Sequence, residues 1–122
     1  MRIKESAENY LEAILAIGKE KGFVRSIDVA NELGVSKPSV SVAMKNFRND
    51  GYINVDDDGY ISLTEKGKQV AERVYERHQL IAKVLMHLGV DKETAFEDSC
   101  KIEHDLSDKS FQKIKEFFNN NI

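Results

Sequence analysis

The chain has 122 residues, 41% of them apolar, and a formal net charge of -3. That length fits one domain or two small subdomains, and the apolar share makes a thin core for two, so a shared dimer core is expected. The charge argues against an indiscriminate nucleic-acid binder, no run of about 18 apolar residues offers a membrane span, and a single cysteine permits no internal disulfide, which suits a reducing cytoplasm.

The opening MRIKESAENY carries charges and no apolar run, so no signal peptide is expected. From Ser6 to about Lys19 the residues Tyr10, Leu11, Ile14, Leu15 and Ile17 form a helical stripe. Asn9 and Glu12 share another face of that helix, where polar pairs are ordinarily solvated. Glu20-Lys21-Gly22 ends the helix, and Phe23-Val24-Arg25 makes a short extended link. Ser26 reads as the N-cap of a short helix through Leu33, with Asp28 favourable in its first turn. Gly34-Val35 turns the chain. Ser36 caps the next helix, and Pro38 falls in its first turn, where a missing N–H costs little. This helix runs to about Asn49, with Val40, Ala43, Met44 and Phe47 inward, and Asp50-Gly51 stops it.

Helix, glycine turn, capped helix is the helix-turn-helix pattern. The second helix opens on small hydroxyl-bearing residues, Ser36-Lys37-Pro38-Ser39-Val40-Ser41. Small side chains let a helix N-terminus approach a groove, where backbone N–H groups and hydroxyls bond to phosphates. Lys37, Lys45 and Arg48 add positive charge. Residues 1–64 nevertheless hold eight Lys/Arg against ten Asp/Glu, so any DNA binding must come from this local patch.

Tyr52-Ile53-Asn54-Val55 and Tyr60-Ile61-Ser62-Leu63 alternate around Asp56-Asp57-Asp58-Gly59 and predict a β-hairpin. A hairpin directly after a recognition helix is a wing. Three aspartates at its tip would repel phosphates, so the wing is expected to add little DNA affinity. The tip lacks the ligand spacing of a calcium loop.

Thr64 caps a long helix in which Val70, Val74, His78, Ile81, Leu85 and Leu88 recur at three or four residues, and Gly89 ends it. His78 interrupts this stripe; a lone histidine there is more often a core residue than a ligand. Asp91 caps a helix through about Leu106, with Phe96, Ser99, Ile102 and Leu106 apolar or small on one side. Ser107 caps a last amphipathic helix carrying Phe111, Ile114, Phe117 and Phe118, and residues 119–122 are expected to fray. The expected division is near Thr64, into residues 1–64 and 65–122. The fold class is thus mostly α with a small β-wing: an N-terminal winged helix-turn-helix and a C-terminal helical unit.

Cys100-Lys101-Ile102-Glu103-His104 places thiolate, carboxylate and imidazole at i, i+3 and i+4, on one face within one helical turn. In order along the chain, SAENYLEAI, VRSIDVANELGVSKPSVSVAMKNF, GYISLTEKGKQVAERVYERHQLI and EDSCKIEHDLSD resemble the diphtheria-toxin-repressor family of metal-dependent bacterial transcription regulators. The resemblance covers residues 6 to about 110. It implies a homodimer with an N-terminal winged helix and a C-terminal dimerisation unit, binding a double-stranded DNA operator with Fe(II) or Mn(II) as corepressor. It implies metal ligands at Asn9, Glu12, His78, Cys100, Glu103 and His104. It points to Ser36, Pro38 and Val42 as nearest the bases; beside them Arg25, Ser39 and Ser41 are expected at phosphates and Lys45 and Arg48 at the DNA backbone, with Lys37 adding positive charge to the DNA-binding set. In length the chain resembles the short form seen in manganese transport regulators.

Four positions depart from that pattern. Manganese-type members usually carry Asp where this chain has Asn9 and Glu where it has Cys100; iron-type members share the cysteine. Two further iron-type ligand positions fall on Ala82 and Phe96, which cannot ligate, so the ancillary site of iron-type members is expected to be absent. Thiolate and imidazole favour later metals, and carboxylate and carbonyl suit Mn(II), which puts Fe(II) ahead of Mn(II). Zn(II), Co(II) or Ni(II) should substitute in vitro. No small organic ligand is expected. Two alternatives use Cys100 differently: a winged-helix redox sensor, and a hydrolase, which lacks any glycine-rich oxyanion turn.

Overall fold

The computed structural model describes residues 5–121. These form two compact units that divide between Arg73 and Val74, inside one long helix. The first unit contains α1 (Glu5–Lys21), α2 (Ser26–Leu33), α3 (Lys37–Asn49), β1 (Ile53–Val55), β2 (Ile61–Leu63) and the start of α4 (Glu65–His87). The second contains the rest of α4, α5 (Lys92–Asp105) and α6 (Asp108–Asn121).

In the first unit the stripe of α1 meets α2, α3 and the wing around Leu11, Ile14, Val29, Val40 and Ile53, all at most 2% exposed. Burying such side chains contributes about 1.5–3 kcal/mol each. Tyr10 packs edge-on against Phe47, and Phe47 against Tyr52, with ring centroids 5.8 and 6.3 Å apart. Ala43 is only half-buried; Val40, Met44 and Phe47 carry the inward face of α3.

The helix ends follow capping chemistry, with one shift of register. The cap of α2 is Arg25, not Ser26: the Asp28 carboxylate reaches back and accepts the Arg25 backbone N–H at 2.9 Å, which draws Ser26 into the helix. Gly34 takes φ 65° at the end of α2, a left-handed turn that glycine adopts without strain. Ser36 caps α3 and accepts the Ser39 backbone N–H at 3.2 Å. Thr64 does the same for α4 through the Gly67 N–H at 3.1 Å.

The wing is antiparallel, with Ile53 opposite Leu63 and Val55 opposite Ile61. The Ile61 N–H also donates to the Val24 carbonyl at 2.8 Å, which docks the 23–25 link on the far edge of β2. At the tip, Asp56 Oδ1 accepts the backbone N–H groups of Asp58 and Tyr60, each at 2.9 Å. One of the three tip aspartates is therefore a turn-former.

In the second unit Asp91 caps α5 by accepting the Thr94 N–H at 3.0 Å, and Ser107 caps α6 through the Ser110 N–H at 3.1 Å. The inward row of α5 is Ala95, Ser99 and Glu103, where an apolar row through Ile102 was expected. Ile102 is 38% exposed. Helix α6 is intact through Asn121, contrary to the expected fraying from Asn119; its Asn121 amide donates to the Phe117 carbonyl at 2.9 Å. Ile122 lies outside the described residues. Leu88 and Phe117 are 75% and 65% exposed. Among the described residues no helix is long and apolar enough to cross a membrane.

Candidate metal centre and nucleic-acid interface

The ligand-type residues of the second unit gather on α5. One donor atom each from Cys100, Glu103 and His104 lie within 4.8 Å of one another. The i, i+3, i+4 spacing produces this on one turn of helix. The Glu103 side chain is 1% exposed and that of His104 5%, with His104 Nε2 3.5 Å from Glu103 Oε1. Cys100 is half-buried and forms no disulfide. A carboxylate this deep in a protein calls for positive charge or hydrogen bonds. Thiolate, carboxylate and imidazole together fit a first-row divalent cation.

His78 reaches the same helix from α4. Its Nε2 is 3.1 Å from the Phe96 carbonyl, and its ring packs edge-on against Phe96 with centroids 5.5 Å apart. A carbonyl only accepts, so Nε2 donates to it, and in the neutral ring the lone pair is then on Nδ1. Metal-binding histidines are commonly oriented this way, with the second ring nitrogen donating to a backbone carbonyl. Ala82, at 0% exposure, is core, and Phe96 supplies a ring and a carbonyl in place of a ligand. Asn9 and Glu12 lie on α1 in the first unit; Glu12 is 9% exposed.

The DNA-reading candidates are spread over the outer face of α3 and its approach. Ser36, Lys37, Pro38, Ser39, Ser41, Val42, Lys45 and Arg48 are all exposed. Val42 is 61% exposed, although a branched apolar side chain gains nothing from water. The Ser36 hydroxyl donates to Ser39 Oγ at 2.8 Å while accepting the Ser39 N–H. That leaves the Ser39 hydroxyl proton directed elsewhere. Arg25 is exposed beside the wing, its guanidinium 4.3 Å from the centre of the Tyr60 ring. Tyr60 chiefly, and then the wing carboxylates Asp58 and Asp56, raise the affinity of Arg25 for its proton.

Two residues outside the expected set stand out here. Tyr60 matters through its partner Arg25, which is remote in sequence. Arg77 is 4% exposed, in a slot three residues after Val74 and four before Ile81 on α4; that spacing was the available signal.

Residues 2–61 match the family model described as the iron dependent repressor N-terminal DNA binding domain. Residues 64–121 match that of the iron dependent repressor metal binding and dimerisation domain. An uncharacterised helix-turn-helix-type transcriptional regulator of Methanocaldococcus jannaschii is 34% identical over 117 residues, 94% of each chain. The helix-turn-helix-type transcriptional regulator MntR of Bacillus subtilis is 36% identical over 109 residues, 89% of this chain and 77% of that one. The solved structure of the manganese regulator SloR superposes with a TM-score of 0.78 at 28% identity, over 98% of this chain and 55% of SloR, so the chain spans about half of SloR's length. The chain belongs to the iron-dependent repressor family, a family of metal-dependent, DNA-binding transcriptional regulators. These are not enzymes, which removes the hydrolase alternative.

Proposed function

We propose that the chain is a repressor that binds operator DNA as a homodimer when it holds a divalent cation, with Fe(II) favoured over Mn(II), and that it controls metal-homeostasis genes in the cytoplasm. The observation that carries this reading is the clustering of Cys100, Glu103 and His104 within 4.8 Å on one turn of α5. In this reading residues 65–122 bind metal and dimerise, and residues 1–64 read DNA.

The ligands are Asn9, Glu12, His78, Cys100, Glu103 and His104. A bound cation supplies positive charge that several carboxylates, a thiolate and imidazoles can share. Glu103 and His104 present buried donors on a helix, so they are the fixed part of the set. His78 is already oriented by the Phe96 carbonyl. Asn9 and Glu12 belong to the helix that leads into the helix-turn-helix, so liganding them ties metal occupancy to the DNA-reading unit. The cysteine is the reason to place Fe(II) first; the structural relative SloR is a manganese regulator, which keeps Mn(II) in the test.

On DNA, Pro38 and Val42 offer apolar contact to thymine methyls, and Ser36 joins them at the base edges. Arg25, Ser39 and Ser41 bind phosphates, with Lys37, Lys45 and Arg48 beside them. A helix-turn-helix dimer needs its two recognition helices spaced by roughly 34–36 Å or a multiple. A second copy would cover the exposed Leu88 and Phe117, which flank a groove of about 360 Å³ also lined by Val84, Ile114 and Phe118.

The test is selection from a random DNA library by the dimer under anaerobic Fe(II), Mn(II), Zn(II) or chelator, repeated with Cys100→Ala. Metal-dependent selection of a two-fold symmetric site supports the reading, and equal selection in chelator contradicts it. An unchanged Fe(II)-to-Mn(II) preference in Cys100→Ala removes the argument from the thiolate.

A further inference from the structure

We propose that Arg77 is a positioning residue for the metal centre: it fixes the end of α5 so that Glu103 and His104 stay aligned with His78. This rests on reading α5 as the metal-holding helix. Arg77 is 4% exposed. Its Nη1 donates to Asp108 Oδ1 at 3.1 Å, and its Nη2 donates to the Leu106 carbonyl. The guanidinium also lies 5.1 Å from the centre of the Phe111 ring. All three partners belong to the junction between α5 and α6. Leu106 is the C-cap of α5, so its carbonyl is among those a helix leaves without an internal donor. A cation at that end is also favoured by the helix dipole.

The neighbouring residue completes the device. His78 donates to the Phe96 carbonyl near the start of α5, and Arg77 donates to Leu106 just past its end. Two consecutive residues of α4 thus hold α5 at two carbonyls that bracket Cys100, Glu103 and His104. A rigid fork of donors can set both the position and the rotation of a helix end, which a single flexible ammonium cannot. The ion pair itself adds little to the fold: the Asp108 side chain is 78% exposed, so solvent screens the attraction, while the buried guanidinium is costly to desolvate. The asymmetry points to geometry rather than stability as what Arg77 provides.

Arg77→Met and Arg77→Lys test the idea, with Co(II) as the metal probe in the full chain. The thiolate-to-cobalt absorption band reports Cys100, and competition with a chelator gives the affinity. Arg77→Met is expected to weaken Co(II) binding by about 10–100-fold, the usual cost of removing a residue that supports a ligand, and to shift the cobalt bands. Arg77→Lys is expected to fall between it and the wild type. In the metal-free chain, amide hydrogen exchange is expected to quicken at residues 103–106 in both variants while the first turns of α4 keep their protection. Affinity within twofold of wild type, with unshifted bands, in whichever variants fold would overturn the proposal. Absence of a Cys100-dependent band in the wild type would overturn the metal-helix reading itself, and is distinguishable because it precedes any substitution at Arg77.

Discussion

Cys100 is the residue on which the proposed metal choice turns. It shares one turn of α5 with a buried carboxylate and imidazole, so replacing its soft donor changes ligand type without rebuilding the rest. Cys100→Glu is expected to move the Fe(II)-to-Mn(II) affinity ratio toward Mn(II) by about tenfold, the order at which changes around a metal site alter affinity. Anaerobic competition titrations measure this, and an unmoved ratio counts against the thiolate as a ligand. Asp28 gives a test of a different kind. Lys21 at 2.8 Å and the Arg25 backbone N–H hold its carboxyl below the ordinary value of 3.8. A carboxyl depressed in the folded state stabilises the fold above its unfolded value, and that stabilisation is lost as pH falls through the folded value. Asp28→Asn is therefore expected to lower the urea midpoint near pH 7, and the difference from the wild type is expected to shrink as pH falls through the folded value of the carboxyl. The site is near the surface, so the effect is small.

At the scale of elements, the helix-turn-helix and the caps were legible because their chemistry is local. Ser36, Thr64, Asp91 and Ser107 each cap the helix that follows them. Ser26 was misplaced by one residue because Asp28 can reach back past it to Arg25, a competition that spacing alone does not decide. The inward face of α5 was not legible. Its row of Ala95, Ser99 and Glu103 contains no large apolar side chain, so periodicity favoured Ile102. What buries it is whatever α5 packs against, and that is not written in α5. Arg77 was passed over for the same reason: a guanidinium in an apolar slot reads as a break in the stripe until its three partners are known. Two glycines give opposite expectations from one substitution. Gly18 lies inside α1, and an added Cβ would meet Val24 Cγ2 at an ordinary 3.7 Å. Gly18→Ala is expected to stabilise by about 0.5–1 kcal/mol, because helical glycine is entropically costly. A Cβ on Gly67 would sit 2.0 Å from the Tyr52 carbonyl oxygen, and backbone cannot yield cheaply. Gly67→Ala is expected to destabilise by about 1–3 kcal/mol or more. Thermal or urea unfolding of both variants checks the pair, and equal signs would contradict the packing of α4 against the wing.

For the whole molecule, the decisive fact is that ligand-type residues occur in both units while the recognition helix occurs in one. The net charge of -3 also makes strong binding to DNA by charge alone unfavourable, so in the proposed reading affinity comes from arranging a small patch on α3. Metal occupancy is proposed to do that arranging, which makes the two ligands thermodynamically linked. If metal tightens operator binding by some factor, operator must tighten metal binding by the same factor. The most direct measurement is operator affinity with saturating Fe(II) or Mn(II) and with chelator, taken together with metal affinity in the presence and absence of operator. Both ratios are expected to be equal and at least about fivefold, the lower end of ordinary allosteric coupling. Operator affinity that changes by less than about twofold between metal and chelator would contradict it.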